Sequence, residues 1–467
     1  MKTKNYIILS LICIGLIFSC SKDSSDDNIV SQVQSNQTNT TTNTTDSSST
    51  SSTSGTTTTG TTTSGTTTTG TTTTQVSSFD RGTILVNYAD NIIIPRHNDF
   101  KIALNELKTA TDNFTEAPSI ANYDLLHEKW VESYKKWQYI EMFNIGKAEE
   151  IMFYNKVNTY PASTDRINNN IDENKTDLSN PNDWSAQGFP GIDYMIHGIE
   201  STKQSIVDKY TNESKYGVYL KTLVNDMSAN TDIVIDDWGT YKAEFIASID
   251  NTATSAFNML TNDFVFYFEK GIRTNKIGIP AGRFSTSPLP DRVEAYYSSK
   301  NSIEDISKIL ALESRKAAED LFLGRSSNGD LGPSYKSYLD YLETDLGQTL
   351  VSKLDAAEIS LNDLDSNFIN QINTNNTKML LAFDALHGSG ELLSPLLVPI
   401  EFEGVGRNAE ARIGNADVDA AEMRHRRLGG FDDFFLASVH PAIGDINADA
   451  VVEQDSLLAY QADCTPQ

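Results

Sequence analysis

Cysteine is nearly missing, with three in 467 residues, at Cys13, Cys20 and Cys464. With Cys13 inside a leader and Cys20 modified, only Cys464 remains, and no intrachain disulfide can form. Stability must then come from a buried core. Positive charge is short as well: 37 Lys and Arg stand against 63 Asp and Glu, a formal net charge of −26. That balance argues against nucleic acid and anionic lipid as partners. It is compatible with cation binding, although a solvated acidic face is the commoner explanation. The chain has no phosphate-cradling Gly-Lys-Ser/Thr loop, no His-Glu-x-x-His, no Cys-x-x-Cys and no Gly-x-Ser-x-Gly, so the common signatures of nucleotide, zinc, redox and serine-hydrolase chemistry are absent.

What is there begins at the N-terminus. Lys2 and Lys4 precede an apolar run from Tyr6 to Phe18, shorter than the roughly 20 residues a membrane-spanning helix needs. This is the pattern of a secretory signal over residues 1–19. It stops at Ile17-Phe18-Ser19-Cys20, which resembles a bacterial lipobox and implies lipidation of Cys20 and attachment to a membrane through that lipid. The following Ser21-Lys22-Asp23-Ser24-Ser25-Asp26-Asp27 resembles the export tag of Bacteroidetes surface lipoproteins. The expected location is the outer membrane, on its periplasmic or cell-surface face. Residues 20–77 are Ser, Thr, Gly, Asn and Asp with almost nothing apolar, a composition that cannot offset its ordering entropy and reads as a tether.

From residue 78 the apolar spacing is helical. Leu126, Trp130, Tyr134, Trp137 and Glu141 follow at steps of four, four, three and four and share one helix face. Ala256, Leu260, Phe264 and Phe268 repeat at four, and Ile303, Ile306 and Leu310 and then Leu361, Leu364, Phe368 and Ile372 give two more stripes. No stretch alternates at period two between hairpin turns. The spacing predicts an all-α domain over 78–386, built as two packed antiparallel bundles that join near 200–215. Beyond Lys378 no lysine occurs, and the helical period fades after His387. Residues 387–467 are either a separate, atypical segment or text read in a shifted frame.

The segment richest in candidate chemistry is Gly188-Phe189-Pro190-Gly191-Ile192-Asp193, followed by Tyr194-Met195-Ile196-His197-Gly198. Pro190 suits a helix's first turn; Asp193 in that turn would face the positive end of the dipole; Gly198 is a natural stop. Asp193 and His197 lie four apart on one face. They could hold a divalent metal, or merely stabilise the start of the helix and mark its end. Glu141 lies on the aromatic stripe. Either it points inward, where it needs a partner and would join Asp193 and Glu294 around a ligand, or it emerges to solvent at the helix end. Arg273-Thr274-Asn275-Lys276 is a small basic cluster, expected to pair with local carboxylates.

This segment resembles the signature of the imelysin-like family, Gly-x-His-x-x-Glu followed by an apolar run. Tyr88 to Pro95, Trp130 to Phe143, Asn158-Thr159-Tyr160-Pro161 and Glu294-Ala295-Tyr296-Tyr297-Ser298 fit other parts of the family in order, so the likeness covers about 83–386. It implies two four-helix bundles with a groove between them, export, and a link to iron uptake; the family is also classed with metallopeptidases. Here Pro190 stands at the motif His and Asp193 at the Glu, so a zinc hydrolase lacks a ligand it needs. No catalytic residue is therefore assigned. The expected function is non-catalytic binding of a ligand or metal in iron or haem uptake. The cation would be iron or another divalent metal, the candidate residues Glu141, Asp193, His197 and Glu294, and the partner an outer-membrane uptake component. A metal-dependent peptidase is the second reading and a surface scaffold the third.

Overall fold

Short polar side chains set the helix starts. Asp80 accepts from the Gly82 N–H ahead of α1 (Arg81–Asn87). Pro95 lies where α2 (Ile94–Glu116) runs on directly from the π-helical turn Tyr88–Ile93, and its missing N–H removes one bond from the ladder there. Ser119 caps α3 (Ile120–Gln138). Four short helices follow, α4 (Lys147–Glu150), α5 (Phe153–Asn158), α6 (Thr164–Asp172) and α7 (Gly188–Asp193). Thr202 and Ser205 form a capping box on α8 (Lys203–Asn212), and the long α9 (Ser214–Ala247) comes next. Then come α10 (Ala256–Phe266), α11 (Tyr296–Lys300), α12 (Ile306–Leu323), α13 (Tyr335–Leu342), α14 (Leu346–Asn362) and α15 (Phe368–Gly390). This computed structural model describes residues 79–390 apart from 251, 253, 301–305 and 343–344. The signal, Cys20, the tether, Ile303 and nearly all of the 387–467 segment lie outside the described residues.

The chain is all-α among the described residues, with a single isolated β-bridge, Arg325 to Leu331. One group of helices is formed by α2 packed on α3 and on α9, with α6, α7 and α8 against α9. The other is formed by α12, α13, α14 and α15 with the wide helical turn that continues α10. The three-residue link between α2 and α3 makes them antiparallel neighbours. Residues 200–215 hold the turn into α8, α8 itself and the link to α9. That stretch leads into α9, which lies back along α2, so the chain crosses to the second group only after Ala247.

The aromatic stripe is buried throughout: Leu126, Trp130, Tyr134 and Trp137 line the inner face of α3, and Glu141 follows just beyond its end. Ala256, Leu260, Phe264 and Phe268 are buried likewise. The stripe from Leu361 to Ile372 is buried too, but it is not one helix. Between α14 and α15, Asp365 accepts from the Asn367 N–H and Asn367 from the Asn370 N–H, each at 2.9 Å. These local side-chain bonds compete with the helix ladder and turn the chain. Among the described residues three segments widen to π-helix, Tyr88–Ile93, Tyr194–Gly198 and Tyr267–Gly278. Such widenings place side chains that a regular α-turn would point elsewhere.

Candidate functional site

Gly188 opens α7 with φ +67°, and a Cβ there would stand 2.1 Å from the Val157 carbonyl oxygen. Only glycine fits, because the backbone is left-handed and pressed against another chain segment. Gly188→Ala is expected to cost about 3 kcal/mol, read as a lowered urea midpoint. Phe189 stacks on Tyr134, centroids 4.2 Å apart and planes at 5°. Because the helix begins at Gly188, Asp193 ends it rather than sitting in its first turn, and it does not serve the helix dipole. Its carboxylate reaches another element instead: Oδ2 accepts from the Tyr297 N–H at 2.8 Å and Oδ1 from the Ser298 N–H at 3.0 Å. Those N–H groups lie just after Ala295, a non-glycine residue at φ +55°. The Asp193 carboxylate thus staples the end of α7 to the strained turn that opens α11, which also packs on α12 and α15.

Asp193 Oδ1 is also 2.8 Å from His197 Nδ1. His197 rides on the π-helical turn, and its Nε2 lies 2.9 Å from His127 Nδ1. Since Asp193 only accepts, His197 Nδ1 is the donor; for neutral rings Nε2 then accepts from the His127 Nδ1–H, which leaves the His127 Nε2 lone pair at the end of the chain. That atom is buried and has no hydrogen-bond partner. Burial, followed by the neighbouring His197, pushes the His127 imidazole down to about 3.

A second cluster sits around Glu141 and Glu294, which are 4 % and 1 % exposed. Glu141 points inward. Lys276, 2 % exposed, places its ammonium 2.7 Å from Glu294 Oε2 and 3.4 Å from Glu141 Oε2. On the other side the Asn158 amide donates to Glu141 Oε1 at 2.6 Å and Glu294 Oε1 at 2.9 Å. Tyr134 fixes that amide by donating to its oxygen at 2.6 Å. Burial alone would push the Lys276 ammonium down, but Glu141 and Glu294 outweigh it and hold it above its ordinary value. The basic cluster is thus divided. Arg273 pairs with Glu269 one turn away, whereas Lys276 spans to residues 18 and 135 positions distant.

The four candidates therefore form two neighbouring constellations joined by the turn 294–298, and they are packed inside rather than lining an open groove. A groove of about 870 Å³ lies elsewhere, between residues 80–95 and 326–333, and none of the four lines it. The arrangement does not suit a hydrolytic metal. Pro190 offers no lone pair, the Asp193 oxygens are taken by N–H donors, and Lys276 stands between Glu141 and Glu294. Among the described residues no group of three or more His, Cys, Asp or Glu side chains is arranged to hold an ion. Sequence reasoning passed over His127, Gln138, Asn158 and the role of Lys276. His127 carried a signal, being four after Tyr123 and three before Trp130 on the aromatic face; Asn158 and Lys276 stood inside segments already singled out, but nothing in the sequence joined them to Glu141 and Glu294, and Gln138 had no signal.

The Imelysin family model matches residues 93–393. The chain belongs to the imelysin family. It is 20% identical over 284 residues to Iron-regulated protein A of Synechococcus elongatus, covering 59% of this chain and 73% of that protein. Two crystal structures share the fold. An iron-regulated protein A precursor from Parabacteroides distasonis aligns with a TM-score of 0.54 at 15% identity, over 68% of this chain and 95% of its own. An imelysin-like protein from Psychrobacter arcticum aligns with a TM-score of 0.55 at 18% identity, over 68% and 94%.

Proposed function

We propose that this imelysin is an exported lipoprotein, anchored through Cys20 in the outer membrane, that serves iron or haem acquisition by binding rather than by hydrolysis. The observation that carries the reading is the fate of the motif carboxylate. Asp193 is consumed as a staple to Tyr297 and Ser298, and the motif His position holds Pro190. A zinc hydrolase keeps about three protein ligands and an open position, and this arrangement favours neither. The iron link comes from the relative named Iron-regulated protein A. The ligand of this reading is iron, haem or another divalent metal, and the partner an outer-membrane uptake component. No described helix is long and apolar enough to cross a membrane.

Calorimetry of the tether-free protein with ferric iron, ferrous iron, haem and zinc is expected to give micromolar binding of an iron species, and casein is expected to survive with or without a chelator. Absence of micromolar binding would overturn the reading. A metal-dependent peptidase is the second reading, favoured by the free Nε2 at the end of the Asp193–His197–His127 chain. Chelator-sensitive casein hydrolysis that is lost in Asp193→Asn would establish it. A surface scaffold gains if neither assay responds.

A further inference from the structure

The groove between residues 80–95 and 326–333 encloses about 870 Å³ and takes no part in the two constellations above. Its walls are fixed before any partner arrives. Residues 324–332 fold back on themselves. The Gly332 N–H donates to the Gly324 carbonyl at 3.0 Å and the Ser326 N–H to the Asp330 carbonyl at 2.9 Å. Ser326 Oγ accepts from the Asn328 and Asp330 N–H groups at 3.2 and 3.1 Å. The buried Asn87 amide then ties this turn to α1, donating to the Gly324 carbonyl at 3.2 Å and the Pro333 carbonyl at 3.0 Å. A Cβ at Gly332 would stand 2.3 Å from Asn87 Oδ1, so the two walls meet without room for a side chain there. Apolar surface stays open on both walls: Val86 on α1 is 41 % exposed and Leu331 on the turn 69 %. Charge along the groove has one sign. Asp80, Asp90 and Asp330 line it, and no lysine, arginine or histidine does. Asp80 Oδ1 accepts from the Gly82 N–H, and Asp90 pairs with Lys242. The Asp330 side chain has no hydrogen bond or ion pair among the described residues.

We propose that this groove is a docking site for an extended segment of a partner protein in which lysine or arginine alternates with apolar residues. The chemistry follows from the lining. An extended chain sends successive side chains to opposite faces. Its apolar residues then settle on Val86 and Leu331 while the cations between them reach the carboxylates. Each contribution needs the other. Apolar contact alone does not choose a charge, and exposed carboxylates alone hold a counter-ion weakly. Complementary charge sets which segment enters, because an acidic one would meet Asp330 with nothing to neutralise it. Walls already in place leave only the partner to be ordered. The net charge of −26 favours the same kind of partner at longer range.

The probe is a fluorescein-labelled Lys-Leu-Lys-Leu-Lys peptide, followed by anisotropy with the purified protein, beside a Glu-Leu-Glu-Leu-Glu counterpart. The basic peptide is expected to bind in the micromolar range and the acidic one not at all. Asp330→Lys should weaken the basic peptide about tenfold and Leu331→Ser about fivefold. Glu128→Lys makes the same change of net charge on an exposed part of α3 outside the groove, and should leave affinity within about twofold. All three positions are exposed, so the fold is kept, which helical circular dichroism checks. A basic peptide that fails to bind at about 100 μM protein overturns the proposal. So does equal binding of the acidic peptide, or a loss in Glu128→Lys as large as that in Asp330→Lys. A wild type that sediments as a dimer while Leu331→Ser is a monomer assigns the groove to a second copy of the chain and overturns it too. No iron is read in this experiment, so its failure leaves the reading of iron acquisition standing.

Discussion

Asp193→Ala is expected to lower stability by about 4 kcal/mol. The loss comes from what remains behind. The Tyr297 and Ser298 N–H groups lose their acceptor at 2.8 and 3.0 Å, and the His197 Nδ1–H loses its partner at 2.8 Å. Orphaned buried donors cost about 1–3 kcal/mol each, and relaxation of the 294–298 turn returns part of that. Asp193→Asn should fall between, because its amide keeps one acceptor oxygen but turns an NH₂ toward a donor. Urea unfolding followed by far-ultraviolet circular dichroism reads both. A cost below about 1 kcal/mol for Asp193→Ala would mean that the carboxylate does not staple α7 to the turn that opens α11.

That staple marks where sequence reasoning reached its limit. Helical stripes repeat every three or four residues, so Leu126 to Trp137 identify α3 and its buried face from spacing alone. Glu141 fell on the next beat of the stripe, but spacing left open whether it turns inward or emerges to solvent at the helix end. Its partner was not legible. Lys276 lies 135 residues away, and periodicity carries no record of which distant element an inward side chain will meet. The break between α14 and α15 escaped because Leu361, Leu364, Phe368 and Ile372 stay buried across it; the signal was the Asp365 and Asn367 side chains, which cap and turn. The π-helical turns at Tyr194–Gly198 and Tyr267–Gly278 were equally hidden, yet they carry His197 and Lys276. Family likeness picked out the segments that carry Asp193 and Glu294 as separate motifs, but not the contact between them, which the Asp193 bonds to Tyr297 and Ser298 make.

Acid should destabilise the protein through its buried imidazoles. His97 is 1 % exposed, and its Nδ1 lies 2.8 Å from the Ile93 carbonyl. Burial pushes it down to about 4 despite that bond, and burial followed by His197 pushes His127 down to about 3. In the unfolded chain both titrate near 6.5. Above that pH neither state binds the proton, and neither His alters stability. Below it the unfolded chain charges while the folded one does not, so stability is lost as pH falls from about 6.5 to about 4, by about 3 kcal/mol for His97. Asp263 works the other way. One of its oxygens is buried without a partner, and burial, then Glu149, pushes its carboxyl up to about 8. The folded state therefore takes that proton first, and stability rises as pH falls from about 8 toward the ordinary carboxylate range. A raw midpoint mixes the two signs, so the decisive quantity is a difference. Between pH 7 and pH 4, His97→Leu should gain about 3 kcal/mol on wild type, whatever its fixed packing offset. An offset that stays constant across that range would show that His97 charges as readily in the fold as in the open chain.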